Sequence, residues 1–107
     1  MHRDITADSV LFVDKGSDFE IKVADFGSTG LVDEERELVE DQQSLTFTAP
    51  EVFAGSFTTK CDIWSAGILL YLMLSGKKPF KPESKDEACE FLKNAELTFA
   101  KPSKIWE

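Results

Sequence analysis

The sequence has no excess of positive charge. Twelve Lys and Arg stand against twenty Asp and Glu, a formal net charge of −8. That balance argues against a nucleic-acid partner or an anionic membrane surface, both of which require clustered cations. Cysteine is scarce. Cys61 and Cys89 are far apart, have no metal-ligand spacing and read as free thiols. A long hydrophobic run is also missing. The apolar stretch from Ile63 to Leu74 falls well short of the ~20 residues that a bilayer core demands, so no membrane span is expected. Met1-His2-Arg3-Asp4 leads into no apolar targeting segment, and a cytoplasmic setting is the expectation. No internal repeat or low-complexity segment stands out.

The organising stretch is Lys60–Gly76, KCDIWSAGILLYLMLSG. Only Ser65 and Gly67 interrupt its apolar run, and apolar residues fall all round a helical wheel. Such a helix is buried on every side. Gly76 followed by Lys77, Lys78 and Pro79 is a helix stop. Asp62 is out of place at the mouth of this helix, because a carboxylate there must find donors. Thr59 followed by Asp62 can form a local capping box; alternatively Asp62 reaches another part of the chain.

Ahead of this helix, His2–Ser9 is polar and reads as a loop. Val10–Val13 and Phe19–Val23 are β-prone and flank the turn-forming Asp14–Asp18, which signals a hairpin. A long aperiodic stretch runs from Ser28 to Thr48 and carries Asp33, Glu34, Glu35, Glu37, Glu40 and Asp41. A loop of that length inside a compact domain points to function or disorder. Beyond the core helix, Ser84–Glu87 is a capping box. Ala88, Phe91, Leu92 and Ala95 then give the apolar face of an amphipathic helix.

Three short strings matter together: His2-Arg3-Asp4, Asp25-Phe26-Gly27 and Ala49-Pro50-Glu51. Each is weak alone, but their order, with a hairpin between the first two, is a strong joint signal. On these strings the chain resembles the C-terminal lobe of a eukaryotic protein kinase. The segment KCDIWSAGILLYLMLSGKKPF is most similar to the calcium- and calmodulin-dependent group, though no EF-hand loop is present. The fold class implied is α+β, mainly helical: a partial protein-kinase-like C-lobe over residues 1–107 with a small β-hairpin and no N-lobe.

The resemblance implies an ATP- and Mg²⁺-dependent Ser/Thr kinase acting on protein hydroxyls, with the N-lobe of the same kinase as a necessary partner. Asp4 matches the catalytic carboxylate and Asp25 the metal-binding one. Phe26 packs beside Asp25, and Gly27 supplies the free dihedrals of that turn. Ser44 keeps a hydroxyl that bonds Asp4. His2, Arg3 and Glu51 are structural or regulatory positions, Glu51 lacking its arginine in this stretch. Asp62 is expected to accept backbone N–H groups around His2 and Arg3. With no Ser, Thr or Tyr between Gly30 and Gln43, the acids there either form a solvated face or place one of Glu37, Glu40 or Asp41 against Arg3 in place of a phosphate.

The chain also departs from the family pattern. Ser9 stands where an asparagine binds the second Mg²⁺, so Ser9 is the candidate second ligand. Thr6 stands where Ser/Thr kinases carry a phosphate-steadying lysine, and Ala7 replaces a proline. There is no Gly-rich loop and no strand lysine. The expectation is therefore a kinase fragment inactive alone. The alternative is a pseudokinase-like scaffold with a degraded catalytic loop.

Overall fold

The computed structural model describes residues 1–14, 16, 20–31, 45–56 and 58–94. A loop and a 3-10 turn at Ala7–Ser9 lead into strand β1, Val10–Phe12, which pairs antiparallel with β2, Ile21–Val23. Val10 lies opposite Val23 and Phe12 opposite Ile21. The Val13 N–H donates to the Glu20 carbonyl at 3.0 Å, carrying the pairing one step past the strand. At the turn, the Asp14 carboxylate accepts the Gly16 N–H at 2.6 Å, the local bond that makes Asp a turn former. The hairpin is the one expected, with shorter strands. Phe19, its expected start on the second side, lies outside the described residues.

Three α-helices with both bounds among the described residues follow. Helix α1 spans Pro50–Phe53, with proline in its first turn, where a missing N–H costs nothing. It ends at Gly55, whose φ of 81° is a left-handed value that suits glycine. Helix α2 spans Lys60–Ser75 and stops at Gly76, whose left-handed backbone (φ 69°) sends its N–H to the Leu72 carbonyl at 2.8 Å. Helix α3 spans Lys85–Asn94. Its start is a modified capping box. Ser84 Oγ accepts the Glu87 N–H at 3.2 Å, while the Glu87 carboxylate reaches back to the Glu83 N–H at 2.8 Å, one residue earlier than in the usual motif. Ala95 lies outside the described residues.

Trp64 joins two apolar clusters. Phe47, Ile68 and Phe80 pack with Trp64, Leu69, Leu72 and Leu92; Ala49, Val52 and Cys61 pack with Met1 and Trp64. Both clusters lie on one side of α2. The helix is therefore not buried all round, as its sequence implies. Ile63 and Met73 are 73% and 72% exposed, and Leu70 is exposed between them. The described residues cover the face carrying Cys61, Ser65 and Ile68 and leave the other bare.

Candidate active site

The catalytic-loop candidates are held from below by α2. Asp62 accepts two backbone hydrogen bonds through separate oxygens: His2 N–H to Oδ2 and Arg3 N–H to Oδ1, both at 2.8 Å. Thr59 makes no side-chain cap bond, so the local capping box does not form and the carboxylate serves the loop. The partnership settles the energetics of a half-buried charge, since each acceptor oxygen meets a donor. Arg3 itself sits at φ 71°. A left-handed non-glycine residue is strained and persists only where the surroundings fix it.

His2 ties this loop to the segment carrying Asp25. Its buried ring places Nε2 at 2.8 Å from the Ala24 carbonyl, while Nδ1 lies 3.3 Å from the Asp4 N–H. A carbonyl only accepts and an amide N–H only donates. Nε2 is thereby placed as the donor and Nδ1 as the acceptor. The Ala24 peptide is bonded on its other side too, its N–H donating to the Ser9 carbonyl at 2.7 Å. Ala24 thus fastens both the start and the end of the Asp4 loop beside Asp25. Sequence reasoning missed it, because an alanine carries no side-chain signal for a backbone role.

Asp25 takes a left-handed conformation (φ 64°, ψ 66°) and is exposed. A 3-10 turn over Phe26–Ser28 follows, and the Phe26 ring tilts against His2 with centroids 5.1 Å apart. The expectation for Gly27 is corrected here. The positive φ belongs to Asp25, and Gly27 has none. The strained turn is made at Asp25 itself, the residue that bears the carboxylate.

Ser9 is 2% exposed and folded into its own turn. Its hydroxyl accepts the Thr6 N–H at 2.9 Å and donates to the Thr6 carbonyl at 3.0 Å. The only hydroxyl proton and one lone pair are thereby committed. Arg3 reaches the other way, donating from Nη2 to the Leu31 carbonyl at 2.7 Å. Residues 1 and 30 pair through both backbone groups, Met1 N to Gly30 O at 3.1 Å and Gly30 N to Met1 O at 3.3 Å. Gly30 lies so close to the guanidinium that an added Cβ would stand 2.6 Å from Arg3 Cζ. Ser44 and the acids Glu37, Glu40 and Asp41 lie outside the described residues.

The segment after Ser44 is anchored to the same helix. Ser65, one turn beyond Asp62, donates from Oγ to the Phe47 carbonyl at 2.8 Å. Asp62 and Ser65 therefore share a face of α2, one holding the loop of Asp4 and the other the segment before Ala49-Pro50-Glu51. Glu51 is half-buried at the start of α1, with no described cation paired to its carboxylate. Cys61 lies near Glu51 and beside Asp62. Burial first, and then the Asp62 and Glu51 charges, push its thiol pKa up. Among the described residues there is no group of three or more His, Cys, Asp and Glu side chains able to hold a metal ion.

A protein kinase domain family model matches residues 1–106. The chain is 38% identical over its whole length to the serine/threonine-protein kinase PEPKR2 of Arabidopsis thaliana, of which it covers 22%. It is 31% identical over 92% of its length to calcium-dependent protein kinase 5 of Plasmodium berghei, covering 18% of that protein. It is 32% identical over its whole length to a calcium and calcium/calmodulin-dependent serine/threonine-protein kinase of Pisum sativum, covering 20% of it. The chain thus spans about a fifth of the length of these curated relatives. With the motif order, the Asp62 anchor and a family match from end to end, the chain belongs to the protein kinase domain family.

Proposed function

We propose that this chain is part of the C-terminal lobe of a serine/threonine protein kinase, transferring the γ-phosphoryl group of ATP to protein hydroxyls when an N-lobe completes the nucleotide site. The observation that carries the reading is the pair of hydrogen bonds that Asp62 accepts from the His2 and Arg3 amides. It spends a core carboxylate on fixing the Asp4 loop, which a purely structural loop would not need. The bare apolar face of α2 supports the same reading, because Ile63, Leu70 and Met73 need cover from further parts of a larger domain.

In this reading Asp4 orients the acceptor hydroxyl and takes its proton as the oxygen attacks the γ-phosphorus; the bond to the β-phosphate oxygen breaks and ADP leaves. Asp25 fits a hard cation, being an exposed carboxylate on a fixed turn. Mg²⁺ supplies charge neutralisation at the phosphates when bound. His2 holds the two carboxylates' backbones in register, and Ser44 lines the acceptor site. The parts that cradle the nucleotide are outside this sequence, so the isolated chain is expected to be inactive.

Phosphotransfer from ATP to a serine-containing protein, measured on the complete kinase that contains this segment, tests the proposal. Asp4→Asn should lower turnover by about 10²–10⁴-fold. Equal rates for the wild type and the variant would refute it.

Ser9 favours a second reading. Its hydroxyl is closed onto Thr6, so it serves as a second metal ligand only if that turn opens. With Thr6 supplying no cation, the same fold fits a pseudokinase-like scaffold. Thr6→Lys with Ser9→Asn separates the two. A large gain from a near-zero baseline favours the scaffold, while robust wild-type turnover excludes it.

A further inference from the structure

The connection between α2 and α3 runs against the charge of the rest of the chain. Gly76–Pro82 holds Lys77, Lys78 and Lys81 and no acid, in a chain of net charge −8. No described carboxylate pairs with any of the three. Among the described residues these three cations keep a local positive potential in an acidic chain, bounded on one side by Glu83, the next acid in the sequence.

The loop backbone is fixed, and one of the three charges, that of Lys78, is held in place. Gly76 caps α2, and Ser75 Oγ accepts the Lys77 N–H at 3.2 Å while lying 2.8 Å from the Lys77 carbonyl. Thr46 Oγ donates to the Phe80 carbonyl at 3.4 Å. Phe80 is buried and stacks on Phe91 with centroids 4.6 Å apart. Lys78 is half-buried, its ammonium 5.5 Å from the centroid of the Phe47 ring. Phe47 is in turn fixed by the Ser65 bond to its carbonyl. A lysine already ordered over an aromatic ring loses less freedom on meeting an anion than one waving in solvent.

This rim borders Leu45–Ala49, the segment directly after Ser44. We infer that Lys77, Lys78 and Lys81 form a docking site for an acidic stretch of the acceptor protein, so that the substrate class is serine or threonine flanked by Asp and Glu. The inference rests on the kinase reading, in which Ser44 lines the acceptor site. Charge complementarity over a few residues is what it requires, and like charge opposite the rim disfavours a basic acceptor. A long polyanion such as RNA is a poorer occupant, because it would run onto the acidic remainder of the surface.

The experiment uses the complete kinase that contains this segment, and fluorescence anisotropy with three probes. They are a serine peptide flanked by Glu and Asp, the same peptide with Lys and Arg flanks, and a single-stranded RNA. The acidic peptide should bind at least about fivefold more tightly than the basic one, and its affinity should fall with added salt. Lys77→Glu/Lys78→Glu/Lys81→Glu should reverse that preference, whereas Lys78→Arg should keep it. Circular dichroism checks that each variant is folded. A tighter basic peptide, tighter RNA, an unchanged preference in the reversed variant or no binding by either peptide overturns the docking site. None of those results touches the kinase reading, which the Asp4→Asn phosphotransfer comparison decides separately. If the triple variant unfolds, single Lys77→Glu and Lys81→Glu variants, both at exposed positions, must each weaken the acidic peptide or the inference fails.

Discussion

Asp62 accepts the backbone N–H of Arg3 at 2.8 Å across 59 positions of chain, and Arg3 at that point holds a left-handed φ of 71°. The carboxylate pins a conformation that costs ~1–3 kcal/mol in a non-glycine residue. Asp62→Ala removes the acceptors for two amides at once, and stability should fall by about 2–4 kcal/mol. Amide exchange should accelerate by at least tenfold (roughly 1.4 kcal/mol of local opening) at His2, Arg3 and Asp4, and less within α2. Uniform acceleration along α2 would show instead that Asp62 serves the helix rather than the loop. Asp62→Asn retains one acceptor oxygen and should lie between.

Gly30 offers a test of the other side of Arg3. A Cβ there would stand 2.6 Å from Cζ and 2.7 Å from Nη2. A non-bonded Cβ does not tolerate that separation, so Gly30→Ala must push the guanidinium aside. The cost falls on the Nη2 bond to the Leu31 carbonyl. We expect a loss of about 1–2 kcal/mol in urea unfolding. Shortening the side chain with Arg3→Ala should relieve the clash, so Gly30→Ala added to Arg3→Ala should cost under about 0.5 kcal/mol more. A full additive penalty would place the strain elsewhere.

Ser65 holds the segment after Ser44 by a buried bond. Its hydroxyl lies 2.8 Å from the Phe47 carbonyl and 3.0 Å from that of Cys61. The Cys61 carbonyl keeps its helical donor, so only Phe47 is exposed to loss. Ser65→Ala leaves that carbonyl buried without this donor, at about 1–3 kcal/mol. Ser65→Thr keeps the hydroxyl and should recover most of it unless the extra methyl overpacks. Thermal unfolding measures both. Equal losses for the two variants would mean that packing, not the hydrogen bond, is what Ser65 provides.

The helix and the hairpin are legible because each leaves a side-chain trace: an apolar run ends in glycine, and turn formers separate two β-prone stretches. Asp62 stands out as a lone carboxylate at the mouth of the helix, but its partners in the His2–Arg3 loop follow from the family resemblance and not from the residues alone. What stayed hidden is carried by backbone or by context. Ala24 acts through its peptide group alone. The sequence points to Gly27 for the free dihedrals of the turn at Asp25, because glycine is the usual bearer of positive φ and the strain at Asp25 has no compositional sign. Ser9 reads as a possible ligand until its hydroxyl is seen closed on Thr6. The bare face of α2 was unreadable for a different reason. Hydrophobicity records what a helix needs to bury, not which segment buries it.

Cys61 turns the electrostatics of the anchor into a pH dependence. Its thiol is raised above its ordinary 9.0, first by burial and then by the neighbouring Asp62 and Glu51 charges. Below that ordinary value both the folded and unfolded thiols keep their protons, and this position contributes no slope. Above it the unfolded chain ionises first, so the folded state loses stability as pH rises toward the folded-state pKa. The limiting slope is ~1.4 kcal/mol per pH unit for one proton. In Cys61→Ala that slope should vanish, so the wild-type and variant stability curves should converge as pH climbs past about 9. The same suppression of thiolate predicts that Cys61 alkylates at least about tenfold more slowly than the half-buried Cys89 at pH 8. Parallel stability curves together with equal alkylation rates would show that Cys61 is open to solvent, and that the Met1, Trp64, Ala49 and Val52 packing around it does not persist in solution.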